Sequence, residues 1–146
     1  MTVSIQKAGF SDLDHAVRLD KAAFAEDSWG LLDFVYILND PHSFSFSAFI
    51  GNEFAGFASV ERNLQDNEAW LTTIAVHSQH RRSGIGTVLL EQCEKAAGNL
   101  PVFLTVDAEN PEAIRFYENR GYRRIGLQPG YYLSGHDAYV YKKEEA

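Results

Sequence analysis

Apolar and polar positions change period several times along the chain, and each change marks an element. Val3 to Lys7 reads as a short strand. From Ser11 the apolar residues fall at helical spacing, with Leu13, Ala16, Val17 and Phe24 on one face. Ser11 and Asp14 are spaced to cap that helix, as in a capping box. A second helix is expected from Trp29 to Leu38, stopping ahead of Pro41. Phe44 to Ile50 and Phe54 to Arg62 then read as strands joined at Gly51-Asn52, a hairpin turn pair. Trp70 to Val76 follows as a third strand.

The second half repeats strand and helix. A helix opens at Gly84 and runs to about Ala97, with Ile85, Val88, Leu89, Cys93 and Ala96 on its apolar face. Val102 to Val106 is a short apolar run of buried-strand type. Asn110-Pro111-Glu112 starts another helix with an Asn cap, Pro at the first helical position and an early acid. Gly121 closes it. Tyr122 to Leu127 and Ala138 to Lys142 finish as strands, and Lys142-Lys143-Glu144-Glu145 reads as a fraying end. The order predicts an α/β fold in which helices cover a mixed, mostly antiparallel sheet of six or seven strands, with about four helices. No repeat or linker interrupts it, so residues 1–146 are expected to form one domain.

Composition narrows the function. Twenty acidic against thirteen basic residues give a net charge of −7, which disfavours nucleic acid and favours a cationic ligand. The same charge also serves solubility alone. Cys93 is the one cysteine, so no internal disulfide can form. No apolar run approaches the ~20 residues that span a bilayer, and Met1 to Phe10 lacks the pattern of a secretion signal. A cytoplasmic protein with no membrane partner is the expectation, and a homodimer is compatible with it.

The segment Ile74-Ala75-Val76-His77-Ser78-Gln79-His80-Arg81-Arg82-Ser83-Gly84-Ile85-Gly86-Thr87 carries the chemistry. A strand runs into a basic loop, and two glycines open a helix. Glycines admit a ligand close to the backbone, and the free amides and positive end of a helix attract anions. The dinucleotide fingerprint needs a third glycine where Leu89 stands, and the Gly-Lys-Ser/Thr of a nucleotide-binding P-loop is absent. Taken alone, the pattern fits a polyphosphate site or an ordinary glycine turn. His77 and His80 lack a third partner at ligand spacing, so no metal is expected.

Two motifs together decide between those readings. Arg81-x-x-Gly84-x-Gly86 after Ile-Ala-Val resembles the pyrophosphate motif of the GNAT superfamily of acyl-CoA-dependent N-acyltransferases. Asn110-x-x-Ala113-x-x-Phe116-Tyr117-x-x-x-Gly121-Tyr122 resembles its second signature, in the same order and at the usual separation. The resemblance implies a GNAT-like sheet splayed between the strands Trp70 to Val76 and Val102 to Val106, with acetyl-CoA as co-substrate in the gap. The main chain of Ile74, Ala75 and Val76 would bond pantetheine and polarise the thioester. Arg81 would assist the pyrophosphate, held by the amides of Arg82, Ser83, Gly84, Ile85, Gly86 and Thr87. Asn110 would touch the CoA arm, and Tyr117 would protonate the departing thiolate.

A finer likeness concerns the acceptor. Gly130-Tyr131-Tyr132, His136-Asp137-Ala138 and Phe24-Ala25-Glu26-Asp27-Ser28-Trp29 resemble protein N-terminal acetyltransferases of the ribosomal-protein kind. That implies a peptide α-amine as acceptor, with Tyr131 and Trp29 lining its site. Paired tyrosines also fill a sheet well, and Trp29 and Phe24 also suit a core. Where those enzymes carry a catalytic Glu, this chain has Thr105; where other members carry one, Trp70 stands. Glu61, Glu68 and Glu109 are the candidate bases, Glu61 first. The competing functions are acetylation of a small amine (a polyamine, amino acid or aminoglycoside) and a non-catalytic acyl-CoA sensor. Tyr117 and the intact loop favour an enzyme; the missing Glu keeps the sensor open.

Overall fold

The computed structural model describes residues 2–144, so the ends of the expected unit of residues 1–146, Met1, Glu145 and Ala146, lie outside it. Seven strands form one sheet: β1 (Val3–Lys7), β2 (Ser43–Ile50), β3 (Glu53–Asn63), β4 (Glu68–Val76), β5 (Val102–Asp107), β6 (Tyr122–Gln128) and β7 (Ala138–Lys143). Their order is β1-β2-β3-β4-β5-β7-β6. Every pairing is antiparallel except β4 with β5. Four helices cover it: α1 (Leu13–Phe24), α2 (Leu31–Asn39), α3 (Ile85–Ala97) and α4 (Pro111–Glu118).

The sheet divides the core into two layers. On one face α3 and α4 bury Ile85, Leu89, Leu90, Cys93 and Tyr117 against Ala58, Val60, Leu71, Leu104 and Val106. On the other, α1 and α2 bury Ala16, Leu19, Phe34 and Ile37 against Phe57 and Ala75. Each fully buried large apolar side chain contributes about 1.5–3 kcal/mol. Along β4 an extra residue at Thr72 breaks the register with β3, where Ser59 faces Thr73 and Val60 faces Leu71. The bulge puts Trp70, Thr73 and Ala75 on the α1/α2 face and leaves Leu71, Ile74 and Val76 toward α3.

The expected elements are present, with corrected ends. Ser11 does not cap α1: a 3₁₀ turn over Phe10–Asp12 precedes it, and the Asp12 carboxylate accepts the Gly9 amide at 3.1 Å. Asp33 does the same for Gly30 at 2.9 Å, which starts α2 at Leu31 rather than Trp29. Phe24 and Val88, expected on buried faces, are 38% and 39% exposed. Helix α4 ends at Glu118 with Asn119 as its cap, and Gly121 turns the chain into β6 in the left-handed region. Lys142 and Lys143 belong to β7, where the Lys143 ammonium binds Glu94 at 3.0 Å and the Arg120 carbonyl at 2.7 Å. No helix among the described residues is long and apolar enough to cross a membrane.

Candidate active site

Strands β4 and β5 are the parallel pair, and they pair only at Ala69–Val102 and Trp70–Phe103. Beyond Trp70 they part. Strand β5 stays paired with β7 through Asp107, and β4 stays paired with β3 through Val76. The edge of β4 from Leu71 to Val76 therefore lines a wedge with unspent backbone groups, which require partners. Ile74, Ala75 and Val76 lie at its open end, where the Val76 carbonyl takes the Arg81 Nε at 3.2 Å.

The loop after β4 closes that end. Gly84 caps α3 with φ 87°, and Arg82 also takes a positive φ of 67°, unusual for a residue with a side chain. The Ser83 hydroxyl donates to the His80 carbonyl. Gly86 lies where a Cβ would come within 3.4 Å of the Phe116 ring and 3.7 Å of Val76. The first amides of α3 have no partner within the helix. A wedge of free strand edge ending at such a helix start fits the pantetheine and pyrophosphate of CoA. Arg81, Arg82, Ser83, Gly84, Ile85, Gly86 and Thr87 can hold the pyrophosphate there. Asn110, by contrast, spends its side-chain oxygen on the Ala113 amide at 3.1 Å, capping α4.

Tyr117 lies in the layer beneath α4, 7% exposed, between Phe116 and Tyr122 at ring distances of 5.2 and 5.8 Å. Burial pushes its hydroxyl pKa well up, and Tyr132 and Cys93 push the same way. It holds its proton at any ordinary pH. Burial also raises the neighbouring Cys93 thiol, to about 12.

On the opposite face, the segment between β6 and β7 folds over β5. Asp27, just past α1, accepts both the amide and the hydroxyl of Ser134 at 2.9 Å. The Tyr132 hydroxyl bonds Thr105, and Tyr131 stands 52% exposed at 5.0 Å from the Tyr132 ring. His136 places Nδ1 2.8 Å from Asp107 at the end of β5 and Nε2 3.3 Å from Glu109. The Asp107 hydrogen bond raises the His136 pKa, against a smaller opposing effect of desolvation. Below them Asp20, 2% exposed, accepts the Trp29 amide at 2.6 Å and the Thr73 hydroxyl at 3.1 Å. Burial pushes that carboxyl above its usual range.

The structure brings together Ile74 to Val76, the Arg81 to Thr87 loop and α4, as the motifs imply. Trp29, half-buried, packs on Phe34 at 5.5 Å against the α1/α2 core. Glu61 faces Trp70 where the wedge closes, and Glu68 takes the Trp70 indole N–H at 3.2 Å. Of the three candidate bases, Glu109 alone lies at the open mouth, against His136. His77 and His80 sit 6.0 Å apart, and no group of three or more metal-binding side chains occurs among the described residues. Sequence reasoning missed Asp107, Asp27, Ser134 and Arg120 because their partners lie 29 to 107 residues away. Local spacing carries no signal of such pairs.

A splayed α/β sheet with a phosphate-type loop at its mouth defines an acyl-CoA transferase architecture. The profile of the Acetyltransferase (GNAT) family matches residues 11–122. The chain is 32% identical over 138 residues to an uncharacterized protein of Mycobacterium leprae, covering 92% of this chain but 38% of that longer protein. It is 30% identical over 138 residues to the N-alpha-acetyltransferase RimI of Mycobacterium tuberculosis, covering 92% and 87% of the two chains. The ribosomal-protein-S18-alanine N-acetyltransferase of Escherichia coli superposes with TM-score 0.86 at 27% identity, over 97% of this chain and 93% of that one. The protein belongs to the GNAT family and is an acetyl-CoA-dependent N-acetyltransferase.

Proposed function

We propose that the acceptor is the α-amine of a peptide or protein N-terminus, taken in the cytoplasm. The observation that carries this reading is the mouth above β5. There the Asp27–Ser134 clasp holds the Tyr131-Tyr132 segment over Thr105, beside the wedge. An extended chain end fits between α1/α2 and this segment, with Tyr131 against its backbone. The named relatives support the same acceptor.

Proton chemistry agrees. An α-amine has a pKa near 8, so about a tenth is neutral at pH 7, against about one in 2,500 for lysine near 10.4. A site with Thr105 in place of a carboxylate serves the first amine better than the second. Acetyl-CoA supplies the thioester carbonyl. The wedge edge from Ile74 to Val76 orients it, the Arg82 to Thr87 amides hold the pyrophosphate, and Tyr117 gives its proton to the departing sulfur.

Thiol release from acetyl-CoA with a panel of amines tests this. Peptides with free N-termini are expected to react fastest, and Tyr131→Ala to raise their KM without weakening CoA. Faster turnover of spermidine, an amino acid or an aminoglycoside would replace this acceptor with a small molecule. No release with any amine would favour a sensor.

A further inference from the structure

The substrate ammonium must lose a proton before nitrogen can attack, and neither Thr105 nor Trp70 can take it. The mouth holds one group built for the task. His136 sits with Nδ1 2.8 Å from Asp107 Oδ2, so that nitrogen donates and the carboxylate fixes the ring. Asp107 and Thr105 lie on the same face of β5, two residues apart, and Thr105 is hydrogen-bonded to Tyr132 of the acceptor segment. The imidazole thus stands at the open end of the wedge, on the side from which the amine arrives.

We infer that His136, oriented by Asp107, is the proton acceptor for the incoming amine, directly or through one water. This rests on the acetyl-transfer reading of the site and holds for whichever amine is the acceptor. The proton leaves the ammonium for His136 Nε2. The nitrogen lone pair then forms the C–N bond to the thioester carbonyl, the C–S bond breaks, and the sulfur takes its proton from Tyr117. The attacking nitrogen loses its second proton to solvent as the amide forms, and solvent takes the proton from His136 and restores that of Tyr117, so one net proton is released per turnover.

The surroundings suit a base. The carboxylates facing the ring are Asp107 from β5, Glu109 from the start of the turn into α4, and Asp27 from beyond α1. All three favour the imidazolium formed on accepting a proton. Glu109, 66% exposed at its side chain, can swing from Nε2 to admit the amine. Asp107 acts only through His136 and is a positioning residue. Glu61, at the closed end of the wedge opposite Trp70, has no such arrangement.

The test is the pH dependence of kcat/KM with the best amine of the panel. Because the ammonium brings the proton that His136 takes, the wild type should lose activity below neutrality through one ionisation, that of His136, giving a limiting slope of one in log kcat/KM and a level stretch from there to the ionisation of the amine. His136→Gln should lower kcat about a hundredfold or more, leave CoA affinity intact and replace the level stretch by a rise that continues to the ionisation of the amine, since only neutral amine can then react. Asp107→Asn should move the histidine limb to lower pH while keeping its slope of one. Glu61→Gln should change neither slope nor limb. A His136→Gln enzyme with wild-type kcat, or one slower but with the wild-type limb and level stretch, overturns the assignment. So does an Asp107→Asn limb that does not move, which decides the matter if His136→Gln fails to fold. Total inactivity of the wild type toward every amine would instead refute the acetyl-transfer reading.

Discussion

Arg120, just beyond α4, places its guanidinium on the Thr87 hydroxyl in the first turn of α3, with Nε 3.0 Å from Oγ1. Its Nη1 donates to the Phe116 carbonyl at 3.0 Å, and the group lies 4.1 Å above the Phe116 ring. The two family motifs are thereby joined: the helix that carries Tyr117 is tied to the helix whose start carries Gly86. The start of α3 is thus held by a residue at a position that the second motif leaves unspecified.

Arg120→Ala should therefore weaken CoA binding about tenfold, or about 1.4 kcal/mol, though Arg120 need not touch the ligand. Arg120→Lys should recover little, because an ammonium cannot reach Thr87 and the Phe116 carbonyl together in a planar fork. Calorimetric titration with CoA reads both. Unchanged affinity in Arg120→Ala would mean that the loop keeps its shape unaided.

Gly86 makes a sharper probe of the same loop. A Cβ there meets the Phe116 ring at 3.4 Å, so Gly86→Val both crowds α4 and fills the approach to the backbone. CoA affinity should fall at least tenfold in the folded variant, about 1.4 kcal/mol. Gly84 has open space around it but a φ of 87°. Gly84→Ala should cost about 1–2 kcal/mol of stability through backbone strain alone. Wild-type CoA affinity in folded Gly86→Val would remove the loop from the binding site.

Much of this was legible in the sequence. The strand and helix order, the glycine loop and the Asn110–Tyr122 signature are local patterns, and they fell where period and spacing put them. Element ends were less legible. The 3₁₀ turn ahead of α1 and the start of α2 are capped by Asp12 and Asp33 reaching back to Gly9 and Gly30, and Ser11 is an equally good cap by type. The acceptor face was the least legible. Asp27 with Ser134 and Asp107 with His136 become neighbours only once β7 lies beside β5. The wedge itself follows from a register of two residue pairs, which no composition encodes.

Tyr117→Phe separates chemistry from packing. The ring stays between Phe116 and Tyr122 and the proton is lost, so kcat should fall about a hundredfold or more while CoA affinity holds. Steady-state kinetics beside CoA titration measures this. Wild-type turnover would mean that the thiolate leaves unprotonated.

Asp20 makes a pH prediction. Its folded carboxyl titrates above the unfolded value of 3.8, with burial the largest cause and Asp33 adding to it. The folded state therefore binds the proton more tightly. The resulting stability is fully present below about pH 3.8 and is lost as pH rises through the folded pKa. Asp20→Asn, which keeps an oxygen for the Trp29 amide, should remove this contribution and flatten the fall in stability over that window. Urea unfolding at a series of pH values compares the two. An identical pH dependence would show that Asp20 titrates normally in the folded protein.

The most direct measurement of the central claim uses one peptide that offers both a free N-terminus and an internal lysine. It is incubated with the enzyme and acetyl-CoA, and the modified nitrogen is located by fragmentation mass spectrometry. The account predicts acetyl on the α-nitrogen, with the lysine untouched at early times. Acetyl on the lysine first, or on both at equal rates, would contradict it.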